Sequence, residues 1–282
     1  MPVRGRGRLC GLVAAIVVLA APAPALADYV ALGDSYAAGP LIPLQIQPYG
    51  CLKSDHNYAH LAAPQLHQPA FRDATCSGAE TEDMTAPQGV TPGPNPPQFD
   101  ALDADTQIVT FNIGGNDIGF SSIAEDCVSA SPIGTYCKND YVHDGRDEIS
   151  ERIAATAPKV AAVIQGIHER APQARVFAVN YAAIFPERGF LGCWPQLPVA
   201  SGDIAYLREK QKELNAMIAA QAAANGAGLI DWYSASIGHD ACKPPGIRWV
   251  EPLVPANAAA PAHPNLFGMI GAAKLVVAAA GS

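Results

Sequence analysis

Four short stretches of this chain carry residue types suited to acyl transfer. The first is residues 29–39, YVALGDSYAAG, where an apolar run stops on Gly33-Asp34-Ser35. Gly33 permits a tight turn after a strand. Ser35 then opens a short helix ending near Gly39-Pro40, with an unpaired backbone N–H at the helix N-terminus facing the ligand side. The second is Cys76-Ser77-Gly78-Ala79-Glu80-Thr81, in which Gly78 offers an N–H unobstructed by a side chain. The third is Gly114-Gly115-Asn116-Asp117. Two glycines allow a sharp bend there, and Asn116 supplies a neutral amide donor where Asp would repel a developing oxyanion. The fourth is His263-Pro264-Asn265, at the start of the last helical pattern. Taken singly, each is also ordinary: an N-cap serine, two turn fillers and a structural histidine. Together they supply a nucleophile, a base and two or three hydrogen-bond donors, the set that acyl transfer requires.

The elements that must hold these residues are legible as alternating patterns. Five apolar or β-branched segments, 29–32, 71–75, 107–113, 175–180 and 228–231, read as buried parallel strands. Helical patterns lie between them at 56–66 and at 147–170, the latter kinked or restarted at Pro158. Ile204, Leu207, Leu214, Met217 and Ile218 give a third helix its apolar face, and 266–280 reads as a final docking helix. This alternation predicts an α/β fold of parallel β-α-β units with helices on both faces of the sheet. Sites in such sheets lie outside the C-terminal strand ends. Ser35 and residues 114–117 both follow such an end. Two Pro-rich stretches, 86–99 and 243–265, read as long loops.

The ends of the chain and its charge bound the setting. Residues 1–27 combine Arg4, Arg6 and Arg8, an apolar run from Cys10 to Ala21, and Ala25-Leu26-Ala27, the pattern of a secretory signal peptide. Residues 28–282 then form one domain, exported from the cell. The leader holds three arginines and no acidic residue, so its removal takes the formal net charge from −8 to −11. That charge argues against nucleic acid or anionic lipid as the main partner. No later segment is apolar enough to act as a stable membrane anchor. Six cysteines remain, Cys51, Cys76, Cys127, Cys137, Cys193 and Cys242, an even number suited to three disulfides in an oxidising compartment. No CxxC occurs, and no metal site is expected. G-x-S-x-G, GxGxxG and the P-loop are also absent.

In order and wording, the Ser35, Gly78, Asn116 and His263 stretches resemble the SGNH hydrolases, also called the GDSL esterase/lipase family. DADTQIVTFNIGGND (103–117), RAPQARVFAVNY (170–181) and the three cysteine pairs are similar to the secreted actinobacterial esterase/lipase branch. The resemblance spans nearly all of 28–282. It implies a three-layer α/β/α sandwich with a central five-stranded parallel sheet, flavodoxin-like in type. It also implies Ser35 as nucleophile, His263 as base, and an oxyanion hole of the Ser35 N–H, the Gly78 N–H and the Asn116 side chain. The pairs Cys51–Cys76, Cys127–Cys137 and Cys193–Cys242 are implied likewise. No cofactor is implied, and a monomer acting on a small-molecule or lipid ester is the expectation.

One position departs from the family pattern. Asp often stands three residues before the histidine, where this chain has Ala260. The Ala260 backbone carbonyl is the expected acceptor for the His263 Nδ1–H, with Asp34, Asp240 and Glu251 as alternatives. A carbonyl still selects the tautomer that leaves Nε2 free. Two other functions remain open from sequence: a carbohydrate O-acetylesterase, and an inactive binding module on the same scaffold. Phe185, Trp194 and Trp249 could pack an acyl chain, stack on a sugar or fill the core.

Overall fold

The computed structural model describes residues 1–2, 28–68, 70–190 and 193–281. Of the expected leader, residues 3–27 lie outside the described residues. Five parallel strands form the central sheet: β1 (Tyr29–Gly33), β2 (Phe71–Asp73), β3 (Ile108–Asn112), β4 (Arg175–Val179) and β5 (Gly228–Ile230). Their spatial order is β2-β1-β3-β4-β5. This is the flavodoxin-like doubly wound order, which turns over between β1 and β3. Every residue of β1 and β3 is buried, as expected for central strands covered on both faces.

The helices are α1 (Ser35–Ala38), α2 (Tyr58–Ala62), α3 (Phe120–Asp126), α4 (Cys137–Tyr141), α5 (Glu148–Arg170), α6 (Ser201–Ala224), α7 (Trp232–Ala235) and α8 (Leu266–Ala280). Helices α5 and α6 pack together on one face, and α2 and α8 on the other. The result is a three-layer α/β/α sandwich. The α6 stripe of Ile204, Leu207, Leu214 and Ile218 is buried, as its periodicity predicts. The segment at 56–66 is shorter than its pattern. The Asn57 side chain accepts the His60 N–H and starts α2 at Tyr58, and a 3₁₀ turn takes over at Ala63-Pro64-Gln65.

Strand register brings the functional turns to one edge. Gly33 pairs with Asn112, and Phe111 with Ala178, so β1, β3 and β4 end nearly level. The Asp34 N–H donates to the Asn112 carbonyl at 2.9 Å, and the Asn112 side chain donates to the Val179 carbonyl at 2.7 Å. Residues following these strands therefore emerge side by side.

The expected restart at Pro158 does not occur, because α5 is one helix of 23 residues that runs through it. Pro158 lacks the N–H that would reach the Ala154 carbonyl. Both residues are exposed, so water can satisfy that carbonyl. Meanwhile Ile153, Thr156 and Val160 on the opposite side stay buried and hold the helix to the sheet. Replacing Pro158 with Ala restores a hydrogen bond in a helix interior, and Pro158→Ala is expected to gain about 1–3 kcal/mol of stability. A thermal melt should register this as a rise of several degrees. An unchanged or lower midpoint would mean that the proline's restriction of the unfolded chain outweighs the missing bond.

Candidate active site

Ser35 owes its position to a turn that only glycine can enter. Gly33 has φ +138°, and a Cβ there would run into the Asn112 carbonyl oxygen. The Gln98 side chain clamps this turn. Its Oε1 accepts the Gly33 N–H at 2.6 Å, and its amide donates to the Gly33 carbonyl at 2.9 Å. Asp34, rather than Ser35, caps α1: its Oδ1 accepts the Tyr36 N–H at 2.9 Å. Ser35 is thus the first helical residue, half-buried, with its hydroxyl free for other partners. Among the described residues its backbone N–H has no acceptor.

His263 meets that hydroxyl. Its Nε2 lies 2.7 Å from Ser35 Oγ, and its Nδ1 lies 2.7 Å from the Pro261 carbonyl oxygen. A carbonyl can only accept, so Nδ1 carries the proton and Nε2 presents a lone pair to the serine. The orienting carbonyl is therefore that of Pro261, not of Ala260. The Ala260 carbonyl is occupied by the His263 backbone N–H at 3.2 Å. Ala262 takes a left-handed φ of +59°, which folds this turn and leaves the Pro261 carbonyl against the ring. The Tyr36 hydroxyl holds the turn by donating to the Ala262 carbonyl at 2.7 Å, and its ring lies beside the imidazole. Burial disfavours the imidazolium and lowers the His263 pKa below 6.5, although the Pro261 bond pulls the other way.

None of the three alternative carboxylates reaches the ring. Asp240 accepts the Cys242 N–H and faces Lys243. Asp34 is engaged by Tyr36 and by the Tyr181 hydroxyl. Burial pushes the Asp34 carboxyl up to about 7, with the Tyr181 and Tyr36 donors acting against it. Glu251 supports the histidine loop from behind. It accepts from Asn265 Nδ2 at 2.7 Å and from the Ala256 N–H at 2.8 Å, and pairs with Arg248 at 2.8 Å. Its own N–H donates to the His263 carbonyl at 2.9 Å.

Asn116 faces the same space from the β3–α3 turn. Its amide donates one hydrogen to the Ala79 carbonyl at 2.9 Å, leaving the second available. Gly78, at φ +81°, immediately precedes Ala79 and is exposed, and among the described residues its N–H has no acceptor. Asp117 fastens the two turns together by accepting the Thr81 N–H at 3.0 Å. Ser35, Asn116 and His263 line one cavity that opens to solvent; Gly78 lies outside its lining, across the Asn116 amide. The cavity wall is apolar and includes Ile123, Ile149, Phe185, Leu197, Leu207 and Leu253. Trp194 and Trp249 do not line it, and Trp249 stacks on His239 instead. Cystines join Cys51 to Cys76, Cys127 to Cys137 and Cys193 to Cys242. Among the described residues no group of His, Cys, Asp or Glu could hold a metal ion.

Residues 31–269 match the profile of the GDSL-like lipase/acylhydrolase family. The chain belongs to that family. Lipase 2 of Streptomyces coelicolor is 40% identical over 259 residues, which span 88% of this chain and 85% of that protein. Among solved structures, the extracellular lipase of Streptomyces rimosus superposes with a TM-score of 0.73 at 25% identity, covering 90% of this chain and 99% of its own. The phospholipase A1 of Streptomyces albidoflavus NA297 gives 0.74 at 25% identity, with 92% and 100% covered. As a GDSL-family member the chain is a carboxylic ester hydrolase.

Sequence reasoning missed Tyr181 and Tyr36 as supports of the GDSL site, and offered Glu251 only as an alternative acceptor for His263. Tyr181 follows the end of β4 as Ser35 follows β1, but a tyrosine at that place reads equally as a core aromatic. Glu251 yields a test of the histidine loop. Burial alone would raise its carboxyl, but hydrogen bonds from Asn257, Asn265, the Ala256 N–H and Arg248 outweigh burial and hold it at about 2. A folded value below the usual 4.5 contributes stability that is complete above pH 4.5 and lost as pH falls toward 2. A gap of that size is worth on the order of 3 kcal/mol. Denaturant melts should show Glu251→Gln losing about that much at pH 7, with the difference from the parent closing below pH 4.5.

Proposed function

We propose that the chain is an exported serine esterase/lipase in which Ser35 is the nucleophile and His263 the general base. The observation that carries this is the continuous path from the Pro261 carbonyl through the imidazole to Ser35 Oγ, with both contacts at 2.7 Å, beside an apolar cavity. Ser35 Oγ attacks the ester carbonyl carbon while its proton passes to His263 Nε2. The carbonyl oxygen becomes an oxyanion facing the Ser35 N–H, the Gly78 N–H and the free Asn116 amide hydrogen. As the C–O bond breaks, Nε2 returns the proton to the departing alcohol, leaving the acyl group on Ser35. Water, deprotonated by the same nitrogen, then releases the acid. The Pro261 carbonyl holds the tautomer throughout but brings no charge to offset the imidazolium.

An apolar wall and the absence of Trp194 and Trp249 from it favour esters of acyl chains over acetylated sugars. The relatives named as lipases and a phospholipase A1 point the same way. The leader pattern at 1–27 and three cystines support export. All proposed groups come from one chain, so a monomer suffices.

Hydrolysis of p-nitrophenyl esters from acetyl to long acyl, by oxidised protein, tests the proposal. Turnover should peak at medium or long chains and vanish in Ser35→Ala. Asn116→Ala should lower kcat by about 10²- to 10³-fold, the usual cost of one oxyanion donor. A peak confined to acetyl would favour a carbohydrate esterase, and activity surviving in Ser35→Ala would remove Ser35 from the mechanism. The neutral imidazole is the active base, and burial lowers its pKa. The acidic limb of kcat/KM should therefore have its midpoint below pH 6.5. A midpoint above 6.5 would require a carboxylate partner for His263.

A further inference from the structure

A single hydroxyl joins the serine turn to the Asn116 turn. Tyr181 Oη donates to Asp34 Oδ2 and accepts the Gly115 N–H at 2.7 Å. Asp34 is the residue before Ser35 and caps its helix. Gly115 is the residue before Asn116. The two turns are thus pinned to one oxygen atom. Both turns depend on glycine φ values at which the backbone has wide freedom, Gly33 at +138° and Gly114 at +110°. Gln98 clamps the first turn and the Ala79 carbonyl holds the Asn116 amide, while the Tyr181 hydroxyl links the two turns to each other.

Tyr181 is itself held from three sides. Its backbone N–H donates to Asn215 Oδ1 and its carbonyl accepts from Asn215 Nδ2, both at 2.9 Å, on the rigid body of α6. Its ring packs edge-on against Tyr36 with centroids 5.0 Å apart. At Gly115 there is no room for a side chain, because a Cβ would stand 2.8 Å from Tyr181 Oη. The phenol offers no proton to a substrate, since its one hydrogen is committed to Asp34.

We propose that Tyr181 is a positioning residue for ester hydrolysis, setting where the Asn116 amide stands relative to Ser35 Oγ. Resting on the proposed roles of Ser35 and Asn116, it assigns to Tyr181 an effect on the oxyanion and not on substrate binding. Tyr181→Phe removes one oxygen atom and keeps the ring. The oxyanion donor then loses its fixed distance, and misplacement on the scale of 1 Å costs up to about 100-fold in rate. The Tyr181 ring itself lines the cavity, and because Tyr181→Phe keeps that ring, ground-state binding is expected to change little.

The experiment is a double-mutant cycle on a medium-chain p-nitrophenyl ester, with Ser35→Ala run first in the same assay. Tyr181→Phe should lower kcat by about 10- to 100-fold with KM within twofold of the parent. In an Asn116→Ala background, the same substitution should cost less than about threefold, because the residue it acts through is gone. A kcat within threefold of the parent overturns the proposal. So does an equal loss in both backgrounds, which would mark a general packing effect. If Tyr181→Phe does not fold by circular dichroism, Gly115→Ala breaks the same link from the other side and should give the same kcat-selective loss. An unchanged kcat there overturns the proposal as well. Turnover that survives Ser35→Ala removes the underlying ester-hydrolase roles, whereas Ser35-dependent turnover with an intact Tyr181→Phe rate removes only the role of Tyr181.

Discussion

Next to Ser35 in the chain lies the Asp34 carboxyl, which is buried from water. A buried carboxyl is tolerated only when its oxygens have partners. One oxygen finds the Tyr36 N–H within its own helix, and the other finds the Tyr181 hydroxyl 147 residues away. That hydroxyl has lone pairs to fill in turn, and the Gly115 N–H fills one. Each satisfaction obliges the next, and the chain of partners ends by locating the turn that bears Asn116. Tyr36 continues the sequence in the other direction, because its hydroxyl fixes the carbonyl of Ala262 beside His263. A polar residue placed under the serine thereby specifies the geometry of three separate loops. Its partners lie just past the ends of β1, β3 and β4, which are level because their register makes them so.

At His263 a peptide carbonyl stands where a carboxylate would otherwise orient the ring. Both accept the Nδ1–H and both select the tautomer with Nε2 unprotonated. Only the carboxylate carries charge, so an imidazolium at His263 is less stabilised here. The lowered pKa of His263 has the same origin: burial acts against the cation and only a neutral dipole opposes it. A weaker base is the cost of this arrangement, and a base that stays neutral at lower pH is its compensation. The negative charge that the loop does contain, Glu251, is engaged by Arg248, Asn257 and Asn265 and serves the loop's shape.

The fold was largely legible because buried parallel strands announce themselves as short apolar runs followed by turn residues. All five strands appear within one or two residues of their expected ends. Ser35, Asn116 and His263 were legible because their neighbours are turn formers at strand or helix ends. The choice of Pro261 over Ala260 was not, since it depends on a left-handed conformation at Ala262 that alanine does not advertise. Tyr181 was hidden for a different reason. Its partners stand 66 and 147 residues away, and a tyrosine after a strand looks like any other core aromatic. The restart suggested by Pro158 is absent because its helix-breaking tendency is local, whereas the packing of Ile153 and Val160 that overrides it is tertiary.

The cavity is built on another principle from the chemistry. Ser35 and Asn116 stand on turns leaving a fully buried sheet, where hydrogen bonds and register set distances. The apolar wall comes mostly from segments outside the sheet: Ile123 in α3, Leu207 in α6, and Phe185, Leu197 and Leu253 in loops. Loops of this kind have few backbone partners, and here the links are single, such as Ala241 N–H to the Ile184 carbonyl and Val254 N–H to the Gln196 carbonyl. Covalent bonds supply what the ladder cannot. Cys127, itself part of the wall, is tied to α4, and Cys193, whose carbonyl accepts the Leu197 N–H, is tied to Cys242. By loop entropy each such crosslink is worth roughly 3–4 kcal/mol, which suits loops otherwise free to open. Because reactivity and cavity shape rest on different forces, the wall can be reshaped to suit another acyl group while the 2.7 Å contact between Ser35 and His263 is left as it is.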